Sequence, residues 1–268
     1  MKIIFLGTGG SHQMLVTQER KTGGMLFDLD KVKFVVDPGP GSLVNAISIG
    51  IDPTKLNGVI VSHIHIDHCT DANVYLDCIE KPFLIAEEHC VLQKKADFDY
   101  FPCITVYHQK KSDVHAVKHG DTVDIGNVKI KAIKMKHYEP TLGFRITCGD
   151  ADVGYISDGA YYKGLEKHYD GCKILVFNVI VPKGQTAKTD VYMSIDGMIT
   201  FLNGLTVKPK LVILTHLNSW MMRSNLWKQE KILQEATKIK NVIHAEDFMS
   251  LDLATLQTSL AKKDKLKL

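Results

Sequence analysis

The order of apolar and polar positions divides the chain into strand-like runs separated by glycine-rich and polar turns. Residues 2–6 are a short apolar run that ends at Gly7-Thr8-Gly9-Gly10, where glycine permits a tight reversal, and a loop is predicted over 7–24. Strands are predicted over 25–29 and 32–36, joined as a hairpin at Asp30-Lys31, and Asp37-Pro38-Gly39-Pro40-Gly41 stops the second. A helix over 42–49 follows, then Val59-Ile60-Val61, whose β-branched side chains mark a buried strand. Residues 82–156 read as mostly strand, with turns at 124–128 and 148–151. Beyond them, strands over 173–181 and 211–214 alternate with helices over 195–205 and 227–239. This order predicts an α/β protein with two sheets covered on the outside by helices. No internal repeat or low-complexity linker interrupts the 268 residues, so a single domain over 1–268 is expected.

Composition narrows the class without naming a chemistry. Hydrophobic residues at 45% and charged residues at 24% are ordinary for a soluble globular protein and exclude disordered and fibrous classes. A net charge of +3 makes no general case for a polyanion, and Lys262, Lys263, Lys265 and Lys267 read as a solvated tail. Cysteines at 69, 78, 90, 103, 148 and 172 lack C-x-x-C spacing and read as reduced thiols of a cytoplasmic protein. No apolar stretch reaches the length of a membrane span, and residues 1–10 do not read as a signal peptide.

Chemistry enters directly after the 59–61 strand, at His63-Ile64-His65-Ile66-Asp67-His68. In a chain with 12 histidines, chance produces H-x-H-x-D-H on the order of 2 times in 1,000, so a metal site is the working hypothesis. Three further His or Asp residues stand at strand exits: His137 after 128–136, Asp158 after 153–157 and His216 after 211–215. Loops at strand ends converge at one edge of a sheet, which makes a site built from several loops. Five histidines and two aspartates suffice for two borderline divalent ions such as zinc, and the carboxylate oxygens also suit manganese or iron. Cys69, beside His68, reads as core packing.

Taken in order, Phe5-Leu-Gly-Thr-Gly-Gly10, Val36-Asp37-Pro-Gly39, His63 to His68, His137, Ser157-Asp158-Gly159 and Leu214-Thr-His216 resemble the successive motifs of the metallo-β-lactamase superfamily. The resemblance covers nearly the whole chain. It implies a four-layer αββα sandwich with a dinuclear hydrolytic site: His63, His65 and His137 on one metal, Asp67, His68 and His216 on the other, and Asp158 bridging. It also implies that a hydroxide shared by the ions is the nucleophile and that Asp67 orients it.

Gly7-Thr8-Gly9-Gly10 and Gly143-Phe144-Arg145 resemble the branch that contains ribonuclease Z and small cyclic phosphodiesterases. That branch implies phosphodiester cleavage in a small cyclic phosphate, a nucleotide or RNA, with Arg145 a candidate to hold a phosphate or, equally, a surface ion-pair partner. Two departures separate the chain from ribonuclease Z itself. The interval between His137 and Asp158 leaves no room for a tRNA-gripping arm, and Met193 stands where the branch places a histidine near the start of the 195–205 helix. His12 and His244 are the candidate replacement proton donors. A thioester or lactone hydrolase of the same fold would use the same metals in a more apolar pocket. A metal-stabilised nucleotide- or RNA-binding protein without turnover is the reading that Met193 favours. Residues 86–115, with Tyr100, Phe101 and Tyr107, are read first as ordinary packing and otherwise as a lid or the contact of a homodimer.

Overall fold

The computed structural model describes residues 1–91 and 102–261. Tyr100, Phe101 and the lysines at 262, 263, 265 and 267 lie outside the described residues. In chain order the strands are β1 (Lys2–Phe5), β2 (Met25–Leu29), β3 (Val32–Val36), β4 (Gly58–Val61), β5 (Phe83–Glu87), β6 (Asp113–Val117), β7 (Thr122–Ile125) and β8 (Val128–Lys134). They continue with β9 (Leu142–Cys148), β10 (Ala151–Ile156), β11 (Ile174–Asn178), β12 (Leu211–Thr215), β13 (Val242–His244), β14 (Met249–Asp252) and β15 (Thr258–Leu260). Among the described residues they form two sheets, ordered β15-β14-β1-β2-β3-β4-β5-β6 and β13-β12-β11-β10-β9-β8-β7.

The sheets face each other across an apolar layer that includes Phe5, Phe27, Phe34, Phe144, Tyr155 and Val176. A second apolar layer, with Leu175, Phe177 and Phe201, joins the β7–β13 sheet to helices Ile195–Gly204 and Leu226–Thr237. A third, with Val59, Val61, Tyr75 and Leu76, joins the other sheet to helix Ala72–Cys78. This is the four-layer αββα sandwich of the metallo-β-lactamase fold. Strands β4, β5, β11 and β12 are buried at every position because both faces are covered. Near the edge of its sheet β8 alternates, with Val128, Ile130 and Ala132 inward.

Pairing direction positions the site. β3 runs parallel to β4, and β1 is related to β3 through the antiparallel β2. In the other sheet β10, β11 and β12 are parallel, and β8 shares their direction through the antiparallel β9. Strands β1, β3, β4, β8, β10 and β12 therefore present their carboxyl ends together, and after them come Gly7, Asp37, His63, His137, Asp158 and His216.

Two expectations are corrected. Within the predicted 7–24 loop, Ser11–Thr17 is a helix; its apolar residues Met14, Leu15 and Val16 are consecutive, which gives no helical period, and of them only Met14 is buried. In the strand-like 82–156 stretch, Glu88–Val91 and Val106–Lys111 are short helices; the second is capped by Thr105 Oγ1, which accepts the His108 amide. The hairpins and the two long helices lie where the pattern puts them. All six cysteines are free, and no described helix is long and apolar enough to cross a membrane.

Phe34 is fully buried, stacked on Phe27 at 5.3 Å between ring centroids and edge-on to Phe83. Phe34→Ala is expected to destabilise the protein by about 3–5 kcal/mol, read from the urea midpoint. A shift equivalent to under ~1 kcal/mol would mean that the inter-sheet layer collapses around the void.

Candidate metal centre

Each polar side chain at the common edge is aimed by the turn that carries it. His63 leaves β4 fully buried, and Ile66–Cys69 turns once as a helix, so His65, Asp67 and His68 point toward the space below His63. Three residues here have left-handed backbones: Ser11 (φ 77°), Asp37 (φ 50°) and His216 (φ 58°). Such conformations cost of order 1 kcal/mol or more outside glycine and persist only where surrounding contacts impose them. Two glycines supply close approach: a Cβ on Gly10 would lie 2.1 Å from the His216 ring, and one on Gly39 would lie 2.1 Å from the Asp67 carbonyl oxygen.

Three imidazole nitrogens converge. His65 Nδ1 is 3.0 Å from His63 Nε2 and 3.3 Å from His137 Nε2. The outer nitrogen of each ring faces an acceptor. His63 Nδ1 donates to Ser62 Oγ, whose own proton goes to Asp37; His137 Nδ1 donates to the Val191 carbonyl at 2.9 Å; His65 Nε2 lies 2.7 Å from Glu139 Oε2. With their outer protons donated to Ser62 and to the Val191 carbonyl, His63 and His137 turn lone pairs toward His65 Nδ1, while Glu139 lies against the far nitrogen of His65 without a hydrogen bond. A cation is what such a donor set accepts. Burial, then the neighbouring His68, also pushes His63 well below the usual imidazole range, which keeps it neutral.

A second donor group lies beside the first. His68 donates Nδ1–H to Asp37 Oδ2 at 3.0 Å, and its buried Nε2 has no hydrogen-bond partner. That atom is 3.6 Å from Asp158 Oδ1 and 3.9 Å from Asp67 Oδ2. His216 Nε2 lies 3.6 Å from Asp67 Oδ2 and 3.4 Å from Asp158 Oδ2, which is itself 4.0 Å from His137 Nε2. Asp158 thus stands between the two groups. Burial alone would raise the Asp158 carboxyl, but His216 and His68 hold it well below the usual range. Burial likewise opposes charge on His68, yet Asp158 and Asp67 hold its basicity well above normal. His63, His65 and His137, and separately Asp67, His68 and His216, offer ligand atoms all within 4.8 Å of one another.

The remaining sequence candidates part company. His12 lines the cleft of about 190 Å³ over the centre, with Ser11, His65, Asp67, His137, Asp158, Ile180, Tyr192 and His216. His244 does not line it, because Nδ1 contacts Glu230 at 2.5 Å and Nε2 contacts Glu246 at 2.9 Å, leaving neither nitrogen free. Arg145 is also absent from the cleft. It grips Asp152 through Nε at 3.0 Å and Nη2 at 2.7 Å and donates Nη1–H to the Asp170 carbonyl, so its fork is spent on structure. Met193 is buried in the layer beneath helix Ile195–Gly204, and the neighbouring residue that faces the cleft is Tyr192.

Sequence reasoning leaves Asp37, Glu139, Asn178 and Tyr192 without roles. Asp37 enters it only as part of a turn motif, although an acid after a strand is the very signal that exposes Asp158. Asn178 donates to Asp158 Oδ1 at 2.8 Å, and nothing in its local sequence announces that.

Known proteins share this fold. The family model described as "Beta-lactamase superfamily domain" matches residues 33–217. An uncharacterised protein of Methanocaldococcus jannaschii is 31% identical over 224 residues, covering 81% of this chain and 83% of its own length. Ribonuclease Z of Chlamydia caviae is 31% identical over 171 residues, which are 61% of this chain and 54% of that protein. Among solved structures, the metallo-β-lactamase fold protein YhfI of Bacillus subtilis superposes with a TM-score of 0.75 at 19% identity, covering 93% of this chain and 98% of that one. The short form of human tRNase Z gives 0.69 at 16% identity, covering 94% and 99%.

If Glu139 sets the proton on His65, Glu139→Ala should weaken zinc binding roughly 10–100-fold, measured by competition with a chromogenic chelator. Unchanged affinity would show that the carboxylate is a bystander.

Proposed function

The chain belongs to the metallo-β-lactamase superfamily, and from that premise we propose that it is a metal-dependent phosphodiesterase. The observation that carries this reading is the convergence of three imidazole nitrogens, of His63, His65 and His137, beside the buried, unpartnered His68 Nε2. His63, His65 and His137 would hold one divalent ion and Asp67, His68 and His216 a second, with Asp158 between them; zinc suits this nitrogen-rich set. When bound, such ions lower the pKa of water and stabilise charge on phosphoryl oxygens.

The chain's own residues supply position and protons. Ser11 N–H donates to Asp67 Oδ2 at 3.0 Å, fixing the carboxylate so that it can accept a proton from an attacking water. Once the ligand residues are set aside, Ser11, His12, Ile180 and Tyr192 line the cleft. The Tyr192 phenol is pushed up to about 12, by burial and then by Tyr138, so at neutral pH it can donate a proton and not accept one. Tyr192 and His12 are therefore the groups that can protonate a leaving oxygen, and Tyr192 takes the place expected of a histidine. The polar lining, with Ile180 as its one aliphatic member among the described residues, favours a phosphodiester over a lactone or thioester. The ribonuclease Z relatives support the same choice.

Zinc-loaded protein is expected to cleave bis-p-nitrophenyl phosphate faster than a thioester or a lactone, and Asp67→Ala should lower kcat at least about 100-fold. Faster turnover of the thioester or lactone would replace the phosphodiester reading. Leaving-group dependence identifies the donor. Tyr192→Phe or His12→Gln should cost roughly 100-fold on a diester with an alkyl leaving group and little on the p-nitrophenyl ester, whose phenolate needs no proton. Equal losses on both esters would remove that residue from the proton-transfer role.

A further inference from the structure

A groove of about 530 Å³ opens on the other side of His137, lined by His119, Lys134, Met135, Lys136, Tyr162 and His168. His137 is common to this groove and to the cleft over the centre, so the two spaces adjoin. We propose that the groove is a subsite for a second phosphate of the substrate, and that the phosphodiesters cleaved here carry another phosphate beside the scissile one. The inference rests on the phosphodiesterase reading for its chemistry, but the groove's charge stands independently of it.

One cation of the groove, Lys134, is exposed and left without an ion pair among the described residues. Its backbone N–H donates to His119 Nδ1 at 3.1 Å, which places the proton of a neutral His119 ring on Nε2, the nitrogen left to bind a ligand. The His119 and His168 rings stand perpendicular at 5.0 Å. Burial, and after it His119 and Lys131, lowers the basicity of His168. Two acids lie nearby, and both are engaged. Glu166 accepts from the Gly164 amide at 3.0 Å and from Tyr161 at 3.1 Å, while Asp190 pairs with Lys136. An anion in the groove would meet the Lys134 ammonium and His119 Nε2–H. Tyr162 is held by its hydroxyl, which donates to the Lys134 carbonyl at 2.9 Å, leaving its ring as a wall.

The volume exceeds what a lone phosphate needs and suits part of a nucleotide. Because His137 borders both spaces, a diester that carries a second phosphate is the substrate that would fill both. The substrate class is thus an oligonucleotide or a phosphorylated nucleotide ester, and not a diester with a single phosphate.

A matched pair of substrates tests this with zinc-loaded, full-length protein: thymidine 5′-(p-nitrophenyl phosphate) and the same compound bearing a 3′-phosphate. The wild type is expected to show a KM about tenfold or more lower for the 3′-phosphorylated ester, the scale of one additional charge-assisted hydrogen bond. Lys134→Ala combined with His119→Gln should abolish that advantage while leaving zinc content, kcat and KM for the unphosphorylated ester unchanged. Equal KM for the two esters in the wild type, or a preference that survives in the variant, overturns the subsite and leaves the phosphodiesterase reading intact. Cleavage of neither ester removes that reading instead, and the groove is then judged by binding. Titration with inorganic phosphate should shift the His119 and His168 imidazole NMR resonances of the wild type and not those of Lys134→Ala. Unmoved resonances in the wild type overturn the subsite as well.

Discussion

The buried carboxylate of Asp37 is the joint on which the rest depends. It accepts four hydrogen bonds: from Ser62 N and Ser62 Oγ at 2.7 Å each, from His68 Nδ1 at 3.0 Å and from Tyr155 OH at 2.7 Å. Ser62 follows β4 in one sheet, and Tyr155 belongs to β10 in the other. A carboxylate with almost no exposure is costly unless its oxygens are satisfied, and here donors from both sheets satisfy it. The requirement that holds one charge in a dry place also fixes the rotation of His68, the position of His63 through Ser62, and the spacing of the sheets at their shared edge.

That arrangement separates two tasks that many sites combine. The apolar layer between the sheets sets the distance between strand ends, while the hydrogen bonds behind the histidines set which nitrogen each ring presents. Neither task falls to the residues that line the cleft beside the ligands. The side chains of Ser11, His12, Ile180 and Tyr192 can therefore vary in chemistry while the main-chain amide of Ser11 keeps its hold on Asp67, which is how one scaffold can serve different substrates.

Much of this is legible in the sequence, and the boundary between what is and what is not is physical. His63, His65, Asp67 and His68 stand together because one short segment carries them all, from the exit of β4 into the helical turn Ile66–Cys69, so spacing alone exposes them. His137, Asp158 and His216 are found because parallel strands end together and a polar residue after an apolar run marks an exit. Legibility fails where the direction of a side chain decides. Arg145 sits one residue from Phe144 on β9; Phe144 faces the inter-sheet layer and Arg145 faces away from it, toward Asp152 and Asp170. Tyr192 and Met193 are likewise neighbours turned to opposite sides. His244 does stand at a strand exit, but its partner Glu230 comes from the preceding helix, and no local pattern reveals that contact. The helix Ser11–Thr17 escapes because the Asp67 contact that anchors its first residue is tertiary.

The contact between His137 Nδ1 and the Val191 carbonyl has a different kind of consequence. Its acceptor is main chain, so no side-chain replacement at position 191 can delete it, whereas any shift in the backbone path there would turn the imidazole. The segment that presents Tyr192 to the cleft is thereby geared to a ligand of the centre. If His137 holds a metal as proposed, whatever occupies the cleft and repositions that segment would alter that hold, and loading the metal would in return bias the segment toward one conformation, by equal free energies in the two directions.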